Sequence, residues 1–238
     1  MSFWDHVEAL RGTLFRSVLS LIAFSLVFLA IPGPLFRAVL WPTRPDFPLY
    51  RLPGIDFSLD LINIELSAQF FVYLKVSLLC GAVLAFPFVV WEIWKFIAPA
   101  LYDNEKKAVR KAFLLSSGLF YAGVATGYFV VLPVCLIFFA NFSLSDAIQN
   151  TIALGSYMSL FTSMVFLIGL LFEFPSVVVV LSALGIVRRP LLRKGRRYAM
   201  VAVLLLAALI TPSDPFSMFV LSIPLYGLYE CSILLCKP

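Results

Sequence analysis

The chain has 238 residues, 62% of them hydrophobic and only 13% charged, with a mean hydropathy of +1.00. Soluble domains run about 45–50% apolar and about 25% charged, so this composition excludes a soluble domain, a disordered chain and a collagen-like or disulfide scaffold. The net charge of +5 keeps nucleic acid open as a partner only until the basic residues are placed along the chain.

At the amino end, Ser2-Phe-Trp-Asp5 has capping-box spacing, and Phe3, Val7, Leu10 and Leu14 recur at helical spacing. The pattern predicts an amphipathic helix over residues 1–13, lying on the cytoplasmic surface and running into the first span. Asp5 and Glu8 fall on or near its polar side; Glu8 can equally pair with Arg11, three residues on. The terminus is polar and acidic, not a basic leader, so the first apolar run is expected to stay as an anchor.

Six apolar runs are long enough to serve as spans: about Leu14–Ile31, Ala68–Trp91, Ala112–Pro133, Tyr157–Val180, Tyr198–Thr211 and Phe216–Leu235. They are long and unbroken, unlike the alternating ten-residue segments of a barrel. Basic residues orient them. Arg11 and Arg16 flank span one. Lys95, Lys106, Lys107, Arg110 and Lys111 lie between spans two and three, and Arg188, Arg189, Arg193, Lys194, Arg196 and Arg197 between four and five. The opposite side holds Arg37, Arg44 and Arg51. Basic loops stay cytoplasmic, so the expected fold is an all-α polytopic integral membrane protein with six transmembrane helices and both termini inside. The basic loops, 95–111 and 188–197, then read as topology signals and lipid contacts in place of a nucleic-acid surface. No internal repeat is apparent, which weakens an inverted-repeat transporter.

Outside, residues 32–66 hold Pro32, Pro34, Pro42, Pro45, Pro48 and Pro53. Such density blocks long helices and stiffens the chain. A structured cap is predicted, with short helices such as Leu35–Trp41. The fifth and sixth spans are short; Tyr198–Thr211 rises only about 21 Å, ending at Pro212-Ser213-Asp214-Pro215. A short span thins the bilayer or draws its polar flanks inward.

Chemistry-bearing residues are few. In Phe96-Ile-Ala-Pro-Ala-Leu-Tyr-Asp-Asn-Glu105, Pro99 ends one helix, Asp103 can cap the next and Glu105 suits its first turn. That is a complete structural account. The functional account is an acidic site at the inner surface, suited to an Arg-rich ligand, since a carboxylate takes a guanidinium through two parallel hydrogen bonds. Glu173, in Leu170-Leu-Phe-Glu-Phe-Pro175, is an intramembrane acid and by default a functional candidate; alternatively it caps the carbonyl that Pro175 frees. Glu230 is expected to reach interfacial water, and Lys75 and Glu92 to snorkel. Cys80, Cys135, Cys231 and Cys236 lie in apolar stretches and His6 is the only histidine, so no metal or cofactor site is expected. No H-E-x-x-H, G-x-S-x-G or Ser/His arrangement is present, and no enzymatic activity is expected.

Together, His6-Val-Glu-Ala-Leu-Arg11, Phe96 to Glu105, Phe172-Glu-Phe-Pro175, Arg197-Tyr198, Thr211-Pro-Ser-Asp-Pro215 and Pro224-Leu-Tyr…Leu-Tyr-Glu230 resemble the TatC family, the multispanning receptor of the twin-arginine protein translocase. The resemblance covers nearly the whole chain. It implies binding of signal peptides with two adjacent arginines at the cytoplasmic face of the inner membrane, without a cofactor. It implies single-span partners, TatA and TatB, in an oligomeric complex driven by the proton gradient. Carried over, the signal-binding residues are Glu105, Glu8, Asp5, Arg11, Phe96, Pro99, Leu101 and Tyr102. Glu173, Pro175, Asp214 and Glu230 would form polar or partner-binding features within the membrane. The family pattern His-Leu-x-Glu-Leu-Arg places Glu where this chain has Ala9; Glu8 and Asp5 are the nearest acids on that face. A second reading of the residues is a proton-coupled small-molecule carrier with Glu173 as its relay.

Overall fold

The computed structural model describes residues 3–51, 57–100, 103–143, 151–211 and 214–236. The first element, α1 (Phe3–Ala30), is one uninterrupted helix. Its 28 residues span about 42 Å, more than the roughly 30 Å of hydrocarbon. The amphipathic segment and the first span are therefore one rod. The amino-terminal helix runs into the first span without a break, since no Pro interrupts the helical register between Phe3 and Ala30. Ser2, the expected cap, lies outside the described residues.

The Pro-rich outer segment folds as predicted in kind. It comprises α2 (Pro32–Val39), a 3₁₀ turn (Trp41–Thr43) and α3 (Pro48–Arg51). Proline opens both helices, where its missing N–H has no partner to lose. The cap is fastened to the spans through its carbonyls. Tyr128 donates to Ala38 O and Tyr157 to Val39 O, each at 2.6 Å, satisfying two of the last carbonyls of α2. Tyr50, fully buried, donates to Pro42 O at 2.6 Å, and burial pushes its phenol well above the usual range. Phe47, also fully buried, stacks on Phe129 and meets Trp41 edge-on at 5.2 Å. A two-residue parallel pairing, β1 (Leu61–Ile62) with β2 (Ile152–Ala153), ties the two outer loops together.

Span two is α4 (Ala68–Ile97). α1 packs along it, and at Gly81 the two backbones come so close that a Cβ would lie 2.7 Å from Ser25 Cα. Span three is α5 (Asp103–Thr126), which passes through a π-helical turn (Gly127–Val131) into α6 (Leu132–Asn141). Span four runs through α7 (Leu154–Thr162), a second π turn (Ser163–Leu167), α8 (Ile168–Leu171) and α9 (Phe174–Ala183). The π turns face each other, and a Cβ at Gly127 would fall 2.1 Å from Met164 O. Glycine is required there.

The last spans are α10 (Arg189–Ile210) and α11 (Pro215–Leu235), packed side by side. Five helical stretches among the described residues are by themselves long and apolar enough to cross a membrane. α10 is not among them, because its first turns are basic; its apolar part, from Tyr198, is the short fifth span. It buries only Ala207 and exposes Tyr198, Val201, Leu205 and Leu209, a face for hydrocarbon. The main core lies toward the outer half, around Phe47, Leu132, Tyr157, Met164 and Leu221. Toward the inner end, a small cluster centres on Trp94 and Val109.

Candidate functional site

Two helix ends meet at the cytoplasmic side. α1 brings Glu8, Ala9, Gly12, Thr13 and Arg16, and α4 brings Lys95 and Phe96, to the lining of one pocket of about 320 Å³. Glu8 and Arg11 are exposed, and no ion pair joins them among the described residues. Ala9, where the family pattern places an acid, lines the pocket beside Glu8. Thr13 is buried in the pocket wall.

Behind this lining lies Glu92, 1% exposed. Arg16 Nε donates to its Oε2 at 2.6 Å and Lys95 Nζ to its Oε1 at 2.8 Å. The expectation that Glu92 snorkels is corrected: it is held between two cations across the α1–α4 contact. Its i,i+3 spacing from Lys95 was a usable signal; the partner across the helix pair, Arg16, carried none. Lys95 also lies 5.8 Å over the Trp91 ring.

α4 ends at Ile97 and passes into a 3₁₀ turn, Ala98–Ala100. Pro99 has no N–H to continue the α-helical ladder, which favours the change to a 3₁₀ turn there. α5 starts at Asp103, which puts Glu105 in its first turn, where the positive end of the helix dipole favours a carboxylate. Leu101 and Tyr102 lie outside the described residues, and the side chains of Asp5 and Glu105 outside what is described of their helices.

The in-membrane candidates do not gather at this pocket. Span four breaks between Leu171 and Phe174, with Glu173 at the break and Pro175 buried in the first turn of α9. Ser116 of α5 donates to Glu173 Oε2. Glu173 thus accepts a hydrogen bond from a neighbouring span, where a cap on the freed carbonyl was the alternative. Its Oε1 and the Ser176 hydroxyl are buried without hydrogen-bond partners. Asp214 sits at the outer end of α11 and caps it, accepting from Ser217 N at 2.6 Å. That cap gives Asp214 a local structural role outside the membrane's middle. Glu230 accepts from Arg196 Nη2 at 2.6 Å, joining the inner turns of α10 and α11. Glu230 is therefore paired, and does not simply reach water. Tyr229 reinforces that junction by donating to Leu192 O at 2.6 Å. Among the described residues no cluster of His, Cys, Asp and Glu could hold a metal ion.

Comparison with known proteins gives one consistent result. The family described as Sec-independent protein translocase protein (TatC) matches residues 5–224. A Sec-independent protein translocase protein TatC of Blattabacterium sp. subsp. Periplaneta americana is 33% identical, over 98% of this chain and 94% of its own length. One from Escherichia coli O6:H1 is 31% identical, over 96% of this chain and 85% of its own. A crystal structure described as the twin arginine translocase receptor TatC in DDM superposes with a TM-score of 0.83 at 29% identity, covering 98% of this chain and all of that one.

Proposed function

The chain belongs to the TatC family of Sec-independent protein translocase proteins, and from that premise we propose that it is the twin-arginine signal receptor of a folded-protein export complex. It is a multi-pass protein of the bacterial inner membrane and works as a component of a translocase, not as an enzyme. The carrier reading has no support from the relatives described above, each named a protein translocase.

The observation that carries the receptor reading is the inner pocket. Glu8 and Phe96, from two motifs far apart in sequence, share one lining at the cytoplasmic ends of α1 and α4. Glu8 stands beside Ala9, where the family pattern has its acid, and takes that acid's role ahead of Asp5. Glu105, at the start of α5, supplies the second carboxylate. Two guanidinium groups then meet two acids, each able to accept parallel hydrogen bonds that a lysine cannot offer. Phe96 and Pro99, with Leu101 and Tyr102 next in sequence, shelter the apolar stretch that follows the arginine pair, with Arg11 near the entrance. Glu173 and Pro175, with Asp214 and Glu230 at the two ends of the last span, face the single-span partners, TatA and TatB.

Site-directed crosslinking tests the assignment. A twin-arginine signal should crosslink strongly to the wild type and about ten-fold less to Glu105→Ala, the loss of one charge-assisted bond. A twin-lysine signal should crosslink weakly to both. Equal yields from wild type and Glu105→Ala overturn the role of Glu105.

A further inference from the structure

Glu92 is a buried carboxylate held between two half-exposed cations in the contact of α1 with α4. Replacing a buried ion pair with apolar residues of similar volume is often neutral or stabilising. A charge kept in a helix–helix contact within an apolar span is therefore weak evidence for stability alone. Its two partners point elsewhere. Arg16 and Lys95 both line the guanidinium pocket, and both side chains are 52% exposed while Glu92 is 1% exposed. The cations reach water; the anion that holds them does not.

The charges around the pocket show what this does. Its lining carries Glu8, Arg16 and Lys95, with Glu92 directly behind. With Glu92 ionised, the four charges cancel. With a neutral side chain there, the lining keeps one uncancelled positive charge, and two cationic head groups are free to swing into the space a ligand would use. A ligand bearing two guanidinium groups is the one most penalised by that field, which in a partly desolvated pocket is worth a large factor in affinity.

We propose that Glu92 is a positioning residue for twin-arginine binding. It draws the head groups of Arg16 and Lys95 onto its two oxygens, cancels their field and leaves Glu8 as the acceptor at the pocket surface. The ligand does not touch Glu92; the carboxylate acts through the two cations. The inference rests on the receptor reading above and adds to it a charge that no signal-binding motif contains.

The test measures binding of a fluorescent twin-arginine peptide and its twin-lysine counterpart to the full-length protein in vesicles of uncharged phospholipid. The proteins are wild type, Glu92→Gln and the triple variant Arg16→Gln/Glu92→Gln/Lys95→Gln, each at low and high salt. Glu92→Gln should bind the arginine peptide about ten-fold more weakly than wild type at low salt. The ratio should close toward unity at about 1 M salt, where the screening length falls to about 3 Å. The triple variant, which removes the uncancelled cations, should recover most of the loss at low salt. A purely structural role would give a loss that salt does not close and the triple variant does not recover, and that result overturns the proposal. So does a Glu92→Gln protein that binds as wild type at low salt. If the wild type shows no preference for arginine over lysine, the receptor reading itself fails, an outcome separate from either of these.

Discussion

At the outer end of the molecule, Phe47 and Tyr50 are fully buried, aromatic rings meet face and edge, and phenols from two spans close the carbonyl end of α2. At the inner end, the pocket between α1 and α4 is lined by Glu8 and two half-exposed cations, with an acid held out of water behind them. The first arrangement consists of contacts that weaken steeply with displacement: dry rings at van der Waals distance and short uncharged hydrogen bonds. The second consists of long flexible side chains whose energies change with any charge brought near them. The cap fixes where the spans stand; the pocket is the part able to answer a charged ligand.

The largest effect expected from this contrast is at Phe47. Truncation to alanine removes a fully buried ring that contacts Trp41, Tyr50, Tyr128 and Phe129. Such truncations cost about 3–5 kcal/mol. Thermal unfolding of Phe47→Ala in detergent should show a clear loss of stability. Twin-arginine binding per folded molecule should stay as in wild type. If binding falls in the molecules that remain folded, the two ends are not separable in the way described.

A smaller effect, confined to the inner end, should follow from moving the amino-terminal acid. Glu8→Gln should weaken twin-arginine binding by roughly five-fold, since an exposed charge contributes about 1 kcal/mol. Adding the missing acid, Ala9→Glu, should strengthen it by a similar factor, because Ala9 lines the same pocket. Neither change should move the unfolding temperature appreciably. A Glu8→Gln protein that binds as well as wild type would return the role to Asp5.

The uneven legibility of the sequence follows the same division. Spans one, two, three, four and six could be read directly, because long, mostly apolar runs have few other solutions in water. The cap was readable as a class, since six prolines in 35 residues forbid long helices. Its tethers were not: Tyr128 and Tyr157 look like ordinary span residues until α2 is placed against them. The pairing of Leu61 with Ile152 links positions 91 residues apart and leaves no local trace. Of the proposed signal-binding acids, Glu105 was visible as a motif position and Glu8 as the acid beside one. Glu92 offered only its spacing from Lys95, and its meaning depends on Arg16, 76 residues earlier. Local pattern carries what one helix does; what two helices do together needs their register.

Glu173 asks on which side of this division the middle of the membrane lies. It accepts from Ser116, yet its second oxygen and the Ser176 hydroxyl are buried without partners. An orphaned buried polar atom costs about 1–3 kcal/mol, so a carboxyl kept only for stability would be poorly placed. Leucine at this position removes the unpartnered carboxyl oxygen, and Ser116 and Ser176 can each turn a hydroxyl to a carbonyl of their own helix. Glu173→Leu should therefore unfold at the same temperature as wild type or higher, while export of a twin-arginine reporter falls several-fold. Glu173→Gln keeps a polar group able to meet a partner helix and should export nearly as wild type. The informative result is the opposition of the two readouts, stability rising while transport falls, since no packing defect produces it. A leucine variant that exports normally would place Glu173 with the cap, as part of the scaffold, and leave the inner pocket as the region proposed to meet a charged ligand.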